Sequence, residues 1–211
     1  MKTSFILSAA DSIRDAILDH ESELESLDRA IGDGDHYINM KRGAAAITEL
    51  HAELTSLTAD AALNKIGLKL LSTIGGASGP LLASFFMSMS RVLKEKNDDT
   101  TTTYAVAFVA GVEAIQQRGK AGLGEKTMLD VLIPVAQQFS ALASTNTDIK
   151  VICHALMHTA EEGMLATKAL IATKGRAAGL GERAIGHIDP GAKSCQLMIN
   201  AVCNQVLLSQ P

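Results

Sequence analysis

The chain has 211 residues, a net charge of -4, 47% hydrophobic and 20% charged residues, and only 3% aromatic residues with no tryptophan. That balance describes one globular domain able to bury a sizeable core and excludes a disordered chain. Acidic charge with few aromatics argues against a nucleic-acid surface, and no run approaches the ~18 apolar residues of a membrane span.

The predicted elements are all helical. Ile6, Ile13, Ile17 and Leu24 recur at helical spacing among charged residues, which predicts an amphipathic helix over 3–27. Met40, Ala44, Ile47 and Leu50 predict a second over 36–52, and Leu63, Ile66, Leu70 and Leu71 a third over 59–73. Pro80 suits the first turn of a fourth, apolar helix over 80–95. A polar gap from Asn97 to Thr102 precedes a fifth through 117, and a sixth is expected over 127–144. After Thr145-Asn146-Thr147 a long seventh helix is expected to end near 173, and the last runs from Pro190 to 208 with Asp189 as its N-cap. No segment shows the period-two alternation of a strand, so the expectation is all-α, with eight helices in a single domain spanning 1–211.

The loops between these helices carry the chemistry. Leu27–His36 holds Asp28, Asp33 and Asp35 around Gly32 and Gly34. Asp33 and Asp35, two apart, would diverge on a helix but share a face in an extended or turning backbone. Three carboxylates held together repel unless a cation neutralises them, and hard oxygen donors suit magnesium or calcium. The same aspartates also suit helix capping, and spacing alone leaves both readings open. An EF-hand does not fit, because the twelfth position from Asp33 is Ala44 and not glutamate.

Gly75-Gly76-Ala77-Ser78-Gly79-Pro80 feeds glycine-rich backbone into a helix N-terminus, which suits either an anion or a tight turn. Gly119 to Thr127 has the look of a Walker A loop but fails it, since Glu125 intervenes before Lys126-Thr127 and no strand precedes. Lys174 to Asp189 is the longest loop, and its glycines with Arg176 and Arg183 suit phosphate oxygens, the alternative being a flexible connector. His154 and His158, four apart beside Glu161 and Glu162, lack the H-E-x-x-H arrangement and read as helix surface. Cys153, Cys195 and Cys203 include no C-x-x-C pair, which fits a reducing, cytoplasmic setting, and Phe5-Ile6-Leu7 is too short for a signal peptide.

Four motifs in order, Asp28-Arg-x-Ile-Gly-Asp33-Gly-Asp35-His36 with Asn39, Gly75-Gly-Ala-Ser-Gly-Pro80, Gly-Glu125-Lys-Thr-Met128 and Gly-Glu182-Arg-x-Ile-Gly-His-x-Asp189-Pro-Gly191, cover most of the chain. Together they closely resemble the DhaL family, the nucleotide-binding subunit of bacterial dihydroxyacetone kinase, also found as the C-terminal domain of single-chain ATP-dependent enzymes. The resemblance implies an antiparallel eight-helix barrel with ADP or ATP at one end. It implies two Mg2+ ions on Asp28, Asp33 and Asp35, bridging the nucleotide phosphates. It assigns nucleotide contacts to His36, Tyr37, Ile38, Asn39, Ala77, Ser78, Gly119, Met128, Arg176, Asp189, Pro190 and Gly191. Tyr37 stands where the family often has glycine.

By the same resemblance, Arg176 supplies charge stabilisation in phosphoryl transfer, a separate partner subunit binds dihydroxyacetone, and a phosphohistidine-carrying phosphotransferase subunit recharges ADP in place. At this length the chain is expected to act as a separate subunit, with a homodimer left open. A subunit of an ATP-dependent kinase for dihydroxyacetone or a related ketose, and a non-catalytic helical scaffold, are the competing expectations.

Overall fold

The first amphipathic segment is two helices. In the computed structural model, which describes residues 3–209, α1 (Thr3–Asp19) ends where the His20 ring nitrogen Nδ1 takes up the Ala16 carbonyl at 2.8 Å, and α2 (Glu21–Ile31) starts beyond it. A side chain that satisfies the last carbonyls competes with continuation of the helix. Because α2 runs to Ile31, Asp28 sits in its last turn and not in the acidic loop, and Gly32 closes the helix by donating its N–H to the Asp28 carbonyl. The second expected helix is likewise broken, into α3 (His36–Glu49) and the short α4 (His51–Leu54). These two breaks turn the eight expected helices into ten among the described residues.

The next three helices follow the apolar periodicity closely. They are α5 (Ala59–Thr73), α6 (Ser78–Lys96) and α7 (Thr101–Gly119). Asn97, in the left-handed conformation at φ 49°, stops α6, and the Thr100 hydroxyl caps α7 by accepting from Thr103 N at 3.2 Å. In α8 (Leu129–Ser144), Pro134 lacks the N–H that would reach back to Asp130. Gly163 of α9 (Ile149–Ala166) packs against that freed carbonyl so closely that a Cβ would lie 2.4 Å from it.

The largest departure is at α9, expected to reach 173 but ending at Ala166 in a single 3-10 turn, Thr167–Ala169. A second 3-10 segment, Arg176–Ala184, kinked at Gly181 (φ 58°), fills part of the long loop before α10 (Pro190–Leu208). Ala172, Ala177 and Ala184 of this loop bury themselves against Ile31, so the loop is docked on the end of α2.

Helix neighbours close into a cycle: α1 packs on α3, α3 on α5, then α6, α7, α8, α9 and α10 in turn, and α10 returns to α1. Two apolar clusters fill the two halves, one built on Leu24, Leu54, Ile66 and Leu70, the other on Ile115, Val131, Val135 and Ile152. Between them lies an apolar interior cavity of about 310 Å3. No helix among the described residues is long and apolar enough to cross a membrane.

Candidate functional site

One end of the cycle opens into a cavity of about 480 Å3. Helix ends alternate around it. His36, Ser78, Leu129 and Pro190, the first residues of α3, α6, α8 and α10, all line it, as do Gly75 just beyond α5 and Gly119 at the end of α7. Four helix N-termini thus point the positive ends of their dipoles into one mouth.

Against this positive field stand Asp28, Asp33 and Asp35, one carboxylate oxygen of each lying within 4.8 Å of the others. Asp28 is buried and its Oδ2 accepts from His36 N at 2.9 Å, which ties the acidic loop to α3. The glycine at 32 is required by this arrangement, because a Cβ there would lie 1.7 Å from Asp28 Oδ1. Asp35 holds the N-cap position of α3, yet its side chain makes no capping hydrogen bond. The capping alternative therefore does not explain Asp35, and the hard oxygen donor set suits magnesium. Arg176, largely exposed on the docked loop, reaches across to pair with Asp33 Oδ2 at 2.9 Å.

His36 is held from two sides. Its Nε2 lies 2.6 Å from Ser194 Oγ, and that hydroxyl donates to the Pro190 carbonyl at 3.0 Å, so the imidazole is the donor to serine and its Nδ1 carries the lone pair. Burial lowers the His36 pKa below its ordinary value, against the pull of the neighbouring Asp28, Asp35 and Asp33. Asn39, also buried, accepts from Arg42 at 3.3 Å and lines the mouth.

The remaining expected residues fall on three further segments. Ala77 and Ser78 stand at the start of α6, just after Gly76 at φ +63°. Gly119 and Met128 line the opposite wall, beside a turn held by Asp130, whose carboxylate accepts from Gly124 N at 2.5 Å and Thr127 N at 2.7 Å. Asp189, Pro190 and Gly191 open α10, with Asp189 Oδ2 accepting from Ala192 N at 2.7 Å. Burial raises the Asp189 pKa to about 7, against the backbone N–H groups and the nearby Lys126 that favour its ionised form.

Two expected contacts do not bring side chains to the cavity. Tyr37 is buried in the core with Lys41 over its ring at 5.5 Å, and Ile38 is half exposed to solvent. Only their main-chain amides, in the first turn of α3, are available to a ligand there. This also accommodates tyrosine in place of glycine at 37, since its bulk turns inward and away from the mouth.

Other lining residues had no signal of their own in the sequence. Ser194 is recognisable only once its Oγ is seen 2.6 Å from His36, and Arg118 and Lys174 only once the last turn of α7 and the long loop meet at the mouth. His158 pairs with Glu162 at 3.4 Å on the exposed surface of α9, and among the described residues Asp28, Asp33 and Asp35 form the one group suited to a metal ion.

A helical mouth that sets helix N-termini and a basic loop against clustered carboxylates is what a protein handling a metal-bound phosphate compound requires. The DAK2 domain matches residues 30–204, and the chain belongs to that family. It is 40% identical over 190 residues, 89% of this chain and 88% of the relative, to the ADP-binding subunit DhaL of PEP-dependent dihydroxyacetone kinase 2 of Listeria innocua serovar 6a. It is 39% identical over 90% of its length, and 91% of the relative's, to the ADP-binding subunit DhaL of the PTS-dependent dihydroxyacetone kinase of Lactococcus lactis subsp. lactis. Among solved structures, the dihydroxyacetone kinase of C. freundii in complex with AMP-PNP and Mg2+ has the same fold, with a TM-score of 0.72 at 24% identity. That match takes in 94% of this chain and about a third (34%) of the larger protein.

Proposed function

We propose that this chain is the nucleotide-holding subunit of a phosphotransferase-system-dependent dihydroxyacetone kinase, a DhaL-type domain over 1–211 working in the cytoplasm. The observation that carries it is the convergence of four helix N-termini on the Asp28, Asp33 and Asp35 cluster in one mouth. Near-equal length and about 40% identity to whole DhaL subunits support it, and the cyclic order of helix neighbours supports an eight-helix barrel.

Asp28, Asp33 and Asp35 would hold two Mg2+ ions, which when bound supply charge neutralisation on the nucleotide phosphates. The chain's own residues do the rest. Ser78 and the first amides of α3 and α6 grip phosphate oxygens, His36 is kept in one tautomer by Ser194, and Met128 floors the site. Arg176 exchanges its Asp33 partner for the charge that develops on the phosphoryl group in transfer. Dihydroxyacetone is carried by a partner subunit, and a phosphohistidine-bearing subunit restores ATP from ADP in place.

Purified protein supplied with magnesium is expected to retain ADP and exchange it slowly with labelled nucleotide. Rapid exchange of ATP would instead place the chain with an ATP-dependent kinase, and absence of any nucleotide binding would leave only a helical scaffold.

A further inference from the structure

The Gly119–Thr127 loop contains a lysine that the phosphate chemistry above does not use. Lys126 is 1% exposed, the largest fully buried side chain in the described structure, and its backbone takes the left-handed conformation at φ 60°. A buried ammonium is costly unless fully bonded. Here Nζ donates to the carbonyls of Thr167 and His187, each at 2.5 Å. Those two residues are the feet of the loop that carries Arg176. The feet are also tied directly, Gly186 N donating to Lys168 O at 2.8 Å and Asp189 N to Thr167 Oγ1 at 3.1 Å.

We infer that Lys126 is a positioning residue: its ammonium staples both feet of the 168–186 loop and so sets where Arg176 and the Asp189 cap stand at the mouth. The geometry accounts for three otherwise separate features. An α-helical continuation would pair the Thr167 carbonyl with the N–H four residues on, whereas α9 ends at Ala166 and a 3-10 turn follows, in which that carbonyl accepts from both Leu170 N at 3.2 Å and the ammonium. A left-handed backbone at a non-glycine residue is strained, and here it aims the side chain inward. Asp130, through Gly124 N and Thr127 N, holds the turn from which Lys126 projects. Beyond its feet the loop is held by the small alanine cluster on Ile31 and by exposed contacts, the Thr173 hydroxyl donating to Glu125 Oε1 at 2.8 Å and Arg176 pairing with Asp33 at 2.9 Å.

The purpose of the staple rests on the nucleotide reading, but its existence can be tested without nucleotide. Trypsin cuts after arginine, and Arg176 and Arg183 are both exposed on the loop. In the nucleotide-free protein, Lys126→Met is expected to speed cleavage at these two sites by about tenfold or more, since two charge-assisted hydrogen bonds are lost. Lys126→Arg, which can still donate to both carbonyls, should return the rate towards the wild type. In the ADP-loaded protein, Lys126→Met should release nucleotide about tenfold faster. Wild-type cleavage rates in Lys126→Met, or faster cleavage with unchanged ADP release, would overturn the assignment. In the wild-type chain the Gly186 and Asp189 amides should exchange with solvent as slowly as those inside α10, and fast exchange at both overturns it even if Lys126→Met does not fold. A wild-type protein that binds no ADP sinks the nucleotide reading alone, leaving cleavage and exchange to decide the staple.

Discussion

The mouth and the interior of the helix cycle are two cavities made by the same helices, sharing Met40, Leu82, Ile115, Met128, Cys195 and Met198 as a common floor. Above that floor helix ends and loops bring three carboxylates, Arg176, His36 and the positive ends of four helix dipoles together. Below it, only apolar side chains, glycine and cysteine line the space. The difference teaches how the fold divides its labour. Mid-helix positions have their backbone groups spent on one another and can offer only packing, whereas helix ends have amides to spare. Chemistry therefore gathers at one rim, and substitutions at the two levels should separate binding from stability.

The largest effect is expected at the rim. Asp33→Ala or Asp35→Ala removes one oxygen donor from the carboxylate cluster, and both side chains are exposed, outside the packed core. Loss of groups that merely orient a metal ligand costs roughly 10–100-fold, so loss of a ligand should cost about 100-fold or more in magnesium-dependent ADP affinity. Calorimetric titration with ADP and magnesium, beside far-ultraviolet circular dichroism, is the check. Affinity undiminished in both variants would show that these aspartates hold no metal.

Asp189 gives the rim a pH dependence that the interior lacks. Its carboxyl is raised from the ordinary 3.8 to about 7, so between these values the folded chain keeps a proton that the unfolded chain has released. Its contribution to stability is therefore full below about pH 4 and is lost as pH rises through about 7. Asp189→Asn retains a capping oxygen but does not titrate. Denaturation midpoints of the nucleotide-free protein should fall between pH 5 and 7 less steeply in the variant, by at most about 1.4 kcal/mol per pH unit. Parallel profiles would show that Asp189 is ionised throughout.

How far the residues foretold this molecule differs by level in the same way. Apolar periodicity was enough for α5 to α8 and α10, because each buries one stripe against its neighbours. It missed the break at His20 and the end of α9 at Ala166, where a side chain takes up a carbonyl of the helix end or of the residue after it, in one case from 41 residues away, and apolar periodicity carries no trace of such a contact. The acidic cluster was legible because local glycines and spacing brought Asp33 and Asp35 together, although Asp28 joins them from the last turn of α2. Ser194 and Lys126 were not legible as site residues: a serine inside an apolar helix and a lysine in a glycine-rich loop look like ordinary surface until distant segments meet around them.

The interior supplies the smallest and most discriminating test. Ile152 is 1% exposed and faces the cavity below the floor, so Ile152→Val removes one methyl group from a wall already beside open space. The expected cost is about 0.5–1.5 kcal/mol, or a fall of a few degrees in Tm for a chain of this size (about 2–4 °C per kcal/mol). If the floor isolates the mouth, ADP affinity in magnesium should stay within twofold of the wild type and the Asp189-dependent pH profile should not move. A loss of affinity matching the loss of stability would mean that packing below the floor is transmitted through Met128 and Met198 to the phosphate-facing amides, and that the two cavities act as one cooperative unit.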